Sequence, residues 1–166
     1  MGKPNWAFNE RELVELMKGD NSWLANLANA AAFLYWKMDD VNWVGFYLLD
    51  RRSQQLTLGP FQGLPACSKI NIGEGVCGTA VQEKRTILVD DVEKFPDHIV
   101  CDPSSQSELV IPMIKEKEVI GVLDIDSPLV NRFDSQEKEY LERMVQIIID
   151  NLNCYDYFIL DSRELE

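Results

Sequence analysis

"SELVIPMIKEKEVIGVLDIDS", from Ser107 to Ser127, decides the fold. Its halves "SELVIPMI" (107–114) and "VIGVLDIDS" (119–127) are rich in branched aliphatic residues, and the "KEKE" between them is a charged turn. The stretch therefore reads as an antiparallel hairpin. Upstream, the aromatic and β-branched "VNWVGFYLLD" (41–50) turns through "RRSQQ" into "LTLGPF" (56–61), a second hairpin. Between the two, "SKINI" is a short strand, "GEGVCGTAVQEK" (73–84) enters a short helix, and "RTILVDD" (85–91) is a further strand. Helices are expected on both sides. Asn9 can cap one through Lys18, with Glu12 at the third position and Gly19 as a left-handed stop. A second presents Leu24, Leu27, Ala28, Ala31, Leu34 and Tyr35 on one face, so two helices occupy 9–37. Asp134 caps a last helix over 135–153, with Glu137 at the third position and Tyr140, Leu141, Met144, Ile147 and Ile148 as its buried stripe. Hairpins dominate over βαβ crossovers. The expected class is α+β, one domain over 1–166, with a central, mostly antiparallel sheet at 41–127 flanked by helices.

A chain of 166 residues buries enough surface to fold without a disulfide or a metal. Its formal net charge of -12 and pI near 4.5 speak against a nucleic acid or an anionic membrane as partner, because polyanion binding draws on clustered Lys and Arg. A small, partly cationic ligand fits better. "MGKPNWAFNE" has neither a secretory apolar core nor a complete myristoylation signal, and no apolar run is long enough to span a bilayer. A cytoplasmic location is the expectation, and thiols there are kept reduced and are more often catalytic, metal-binding or redox-sensing than structural.

Three of the four cysteines, Cys67, Cys77 and Cys101, fall between Ala66 and Asp102. Structural zinc sites favour ligand pairs two to four residues apart, and these wider gaps do not fit, so no metal is expected. "GEGVCG" (73–78) formally matches GxGxxG, but the surrounding hairpins give no parallel βαβ unit, and the glycines read as a tight strand-to-helix turn. That turn puts Cys77 in the first turn of a helix, where free N–H groups would lower a thiol's pKa. Cys67 and Cys101 stand beside Pro and in the long loop 92–106, where side chains are reachable, whereas Cys154 reads as a buried, inert thiol. Asp124 and Asp126, two apart in a strand, share a face, and Glu108 opens the neighbouring strand. Carboxylates in such a segment are costly without a partner or ligand, so the three are candidates to line a pocket. Trp43 could be core or a pocket wall, and His98 could assist a thiolate.

"NWVGFYLL", "LGPFQG", "GEGVCGTAV", "HIVCD", "SELVIPM" and "GVLDIDS", in this order, resemble the free methionine-R-sulfoxide reductase family of GAF-domain enzymes over about residues 20 to 150. The resemblance implies reduction of the R epimer of free methionine sulfoxide, with thioredoxin restoring the enzyme and no cofactor. It implies a thiolate attack that leaves a cysteine sulfenic acid, then condensation with a second thiol to a disulfide. The expected assignment is Cys101 as nucleophile and Cys67 as its resolving partner, with Cys77 as a second thiol for relay or substitution. Glu108, Asp124 and Asp126 are implied to hold the substrate ammonium, one of them protonated to act as a general acid. Trp43 is implied to pack on the S-methyl group. A homodimer is suggested by the same likeness. The alternative is a GAF module that binds a small ligand or senses oxidants without turnover.

Overall fold

A computed structural model describes residues 6–19 and 22–152. Its elements are α1 (Trp6–Met17), α2 (Trp23–Lys37), β1 (Trp43–Asp50), β2 (Gln55–Gln62), β3 (Lys69–Asn71), α3 (Gly75–Glu83), β4 (Ile87–Val89), β5 (Ser107–Lys115), β6 (Glu118–Ser127) and α4 (Ser135–Asp150). The six strands form one sheet in the order β3-β2-β1-β6-β5-β4, antiparallel throughout. The α+β expectation and both hairpins hold.

The side-chain alternation of the strands divides the interior. Val44, Phe46, Leu48, Leu109, Ile111, Met113, Leu123 and Ile125 face one way and form a core with α1, α2 and α4. Trp43, Tyr47, Val110 and Val122 face the other way, toward α3 and its Cys77. Each fully buried aliphatic or aromatic side chain in these layers stabilises the fold by about 1.5–3 kcal/mol. Pro112 is tolerated inside β5 because β4 pairs only as far as Val110, which leaves the missing N–H on an unpaired edge.

The helices depart from the sequence expectation in register. Asn9 is not a cap: α1 starts at Trp6 and Asn9 is a buried residue within it, 7% exposed. The packing of α1 on α4 outweighs a local capping preference. Gly19 does adopt a left-handed φ of 117° just past the helix end. In α2, Ser22 is the N-cap, accepting from the Ala25 N–H at 3.2 Å. The buried stripe of α2 is rotated from the expected one, with Asn26, Leu27, Ala30, Ala31 and Leu34 inside and Leu24 52% exposed. Asn26 turns inward because its Nδ2 donates to the Asn151 carbonyl at 3.2 Å, tying α2 to the end of α4. In α4 the expected cap is present, Asp134 Oδ1 accepting from the Glu137 N–H at 2.8 Å. The helix ends at Asp150 rather than at 153, with Asn151 as its C-cap. Cys154 lies outside the described residues.

Candidate active site

The α3 face of the sheet carries the chemistry. In the β5–β6 hairpin Glu108 pairs with Asp126 and Val110 with Asp124, so the three carboxylates converge on one face. Glu108 and Asp124 are buried, while Asp126 is partly exposed at the rim. Burial raises all three well above the usual carboxylate range, and like charge adds to it: Asp126 acts on Glu108, Glu108 on Asp124, and Asp124 on Asp126. Below them Cys77 projects from α3, 3% exposed. The sequence expectation of a thiol acidified by the helix N-terminus is overturned: burial first, then the charges of Asp124 and Glu108, push it well up. Desolvation in a closed site exceeds the effect of a helix end, which is at most about 2 kcal/mol.

Cys67 and Cys101 form a disulfide, with Cα atoms 5.4 Å apart across 34 residues of sequence. Cys67 lies between β2 and β3, where its carbonyl accepts from Tyr47 Oη at 2.9 Å. Cys101 sits in the long loop, which begins with a 3-10 turn at Val92–Lys94. The loop is pinched at its base, Val92 N–H donating to Gln106 O at 2.9 Å and Gln106 N–H to Ser127 O at 2.7 Å. The carboxylate of Asp102, next in sequence to Cys101, is held by its own partners. It accepts from Ser104 Oγ at 2.7 Å, Ser104 N at 2.8 Å and Asn42 Nδ2 at 3.0 Å. These bonds, the Ser104 hydroxyl first, hold Asp102 below the usual range. Asn42, immediately before β1, thus fastens the loop to the sheet.

His98, in the same loop, places Nε2 3.3 Å from Glu108 Oε2. Burial pushes the imidazole down, as it pushes Glu108 up. Burial thus acts against the charged form of both groups and so against an ion pair between them. The loop also needs Gly75: at φ 60°, a Cβ there would sit 3.1 Å from Ile99 Cγ1.

Between loop, α3 and hairpin lies a cavity of about 30 Å³, bordered by Cys77, His98, Cys101, Glu108, Asp124 and Asp126 among others. Trp43 and Cys67 do not border it. Trp43 pairs across the strands with Asp126. Its indole stacks on Phe61 at 5.3 Å and Tyr47 at 5.9 Å, and its Nε1 donates to Leu64 O at 3.1 Å. A Cβ at Gly45 would lie 2.4 Å from this ring, so glycine makes room for it. Sequence reasoning missed Tyr47, Asn42 and Ser105 as neighbours of the site. Asn42 opens the quoted "NWVGFYLL", yet nothing local shows that it meets residues 102–105.

A family model for the GAF domain matches residues 24–152. The free methionine-R-sulfoxide reductase of Escherichia coli is 45% identical over 147 residues, covering 89% of this chain and 88% of that protein. The reduced form of fRMsr of Staphylococcus aureus superposes with a TM-score of 0.86 at 48% identity, covering 91% of this chain and 97% of that one. The free methionine-R-sulfoxide reductase of Neisseria meningitidis, solved in complex with its substrate, gives 0.85 at 39% identity, covering 91% and 92%. The chain belongs to the GAF-domain family of free methionine-R-sulfoxide reductases.

Proposed function

We propose that this chain, acting as a single domain, reduces the R epimer of free methionine sulfoxide to methionine through Cys101 and Cys67. The supporting observation is a disulfide between two thiols far apart in sequence, one of them on the rim of a cavity edged by three carboxylates. In the reduced enzyme the Cys101 thiolate attacks the sulfoxide sulfur. The oxygen takes up one proton, methionine leaves, and Cys101 holds the oxygen as a sulfenic acid. Cys67 then attacks the sulfenic sulfur, water departs, and the disulfide forms. Two electrons from a thioredoxin dithiol reopen it by exchange.

The carboxylates serve two ends. A protonated carboxyl donates to the sulfoxide oxygen, general-acid help worth about 10² to 10⁴ in rate. Asp124 suits this role, since burial and the neighbouring Glu108 raise it and its Oδ1 has no hydrogen-bond partner among the described residues. An arriving ammonium reverses the balance at another member, because a cation favours the ionised form. Cys77 stays a reserve thiol under the site. Trp43 enters as a wall for the S-methyl group only after the loop moves, since the disulfide form leaves room for about one water and not for an amino acid. The reading includes a cytoplasmic setting and a homodimer, the latter supported by Leu16, Leu24 and Trp36, exposed on α1 and α2.

NADPH consumption with thioredoxin and its reductase tests the proposal. Racemic free methionine sulfoxide should be half consumed, and a peptide-embedded sulfoxide should not turn over, because ammonium and carboxylate must both be free. Comparable turnover of the peptide, or none of either, refutes the reading.

A further inference from the structure

Cys77 Sγ, a Glu108 oxygen and an Asp124 oxygen come from α3, β5 and β6 and lie within 4.8 Å of one another, all on buried residues. They border the cavity of about 30 Å³, the size of one water or one ion. Two features mark it as short of positive charge. Asp124, 6% exposed, keeps its Oδ1 buried with no hydrogen-bond partner among the described residues. The lining carries five acidic residues, Glu74, Asp102, Glu108, Asp124 and Asp126, and neither Lys nor Arg. His98 adds an imidazole next to Glu108.

We propose that, with the Cys67–Cys101 bridge closed, Cys77, Glu108 and Asp124 bind one divalent cation of the zinc class. The binding does not rest on the reductase reading. One thiolate, two carboxylates and a nearby imidazole match zinc or cadmium, whereas magnesium and calcium take oxygen ligands. Tetrahedral zinc, with bonds of about 2.0 and 2.3 Å, sets its ligand atoms about 3.3–3.5 Å apart. A spread of at most 4.8 Å contracts to this by side-chain movement on the order of 1 Å. On binding, the thiol and any protonated carboxyl release their protons to solvent, and no electrons move. The ligands lie on three elements far apart in sequence, so the argument from spacing against a structural zinc site does not bear on this one, and the fold does not depend on the ion.

Cadmium titration of the disulfide form tests the site through the near-ultraviolet charge-transfer band of a cadmium–thiolate bond. Cys154→Ser is used as background, so that Cys77 is the free thiol. One cadmium per chain is expected, displaced by zinc and untouched by magnesium. Cys77→Ser should abolish the band. Asp124→Asn and Glu108→Gln, close in shape to the originals, should weaken binding beyond the roughly ten- to hundredfold loss typical of outer-shell changes. Absence of a band at excess cadmium, or a band that survives Cys77→Ser, overturns the proposal. Should Cys77→Ser not fold by circular dichroism, undiminished binding in both carboxylate variants overturns it instead. A chain inactive toward methionine sulfoxide but binding cadmium as described would sink the function and leave the site standing.

Discussion

Opening the Cys67–Cys101 bridge should cost the fold a calculable amount. The bridge closes 34 residues. For a loop of that length the chain-entropy relation gives about 12.6 cal/mol/K, hence about 3.8 kcal/mol at 25 °C. In a chain of this size that corresponds to a fall in Tm of roughly 8–15 °C on reduction. The native anchors of the two thiols are independent of the bridge: Tyr47 holds the Cys67 carbonyl, and Asn42 holds the loop after Cys101. The loss therefore falls mainly on the unfolded state, which regains the freedom of the open loop. Urea unfolding of oxidised and dithiothreitol-reduced protein, followed by tryptophan fluorescence, measures the difference directly. Cys67→Ser should match the reduced form and ignore the reductant. A difference under about 1 kcal/mol, or a more stable reduced form, would refute the reasoning that the anchors persist without the bridge.

Stability should fall as pH rises from about 5 to 8. Glu108, Asp124 and Asp126 are raised in the folded state, which therefore binds more protons than the unfolded chain. Their stabilising contribution is complete below the ordinary carboxylate range and is lost above it, by up to about 1.4 kcal/mol per pH unit for each group. Asp102, held low, acts in the opposite sense, and its contribution disappears on acidification. Urea unfolding across pH should give a flatter profile for Glu108→Gln/Asp124→Asn, and an unchanged slope would count against the buried acids. Asp124→Asn alone should lower kcat/KM by about 10² to 10⁴ while unfolding at higher urea than wild type at pH 7; retained activity would remove it as the acid. Cys67→Ser should release one methionine per chain and then stop with thioredoxin present, as read by amino-acid analysis, whereas sustained turnover would mean that another thiol resolves Cys101.

What the sequence made legible was local. The hairpin at 107–127 announced itself through its aliphatic runs and charged turn, and its alternation put Asp124 and Asp126 on one face, opposite Leu123 and Ile125. Asp134 and Glu137 showed their capping pair because both members lie within one turn of helix. Contacts between distant segments were not legible. Asn9 fits a capping pattern and is nonetheless interior, and the buried face of α2 follows the bond from Asn26 to Asn151, which no periodicity displays. At the site, the environment of Cys77 depends on carboxylates delivered by two later strands, so its helix position alone gave the wrong sign for its pKa. Trp43 was noticed as a possible wall, but its indole lies on Phe61 and Tyr47 and does not border the cavity, a placement set by strands distant in sequence.

The most direct test is a single turnover followed by thiol mapping. Fully reduced protein receives one equivalent of free methionine-R-sulfoxide, is quenched in acid, alkylated under denaturing conditions and digested for mass spectrometry. The account predicts one methionine per chain, a peptide pair joined through Cys67 and Cys101, and alkylated Cys77. Methionine formed while both of those cysteines remain alkylatable would contradict it.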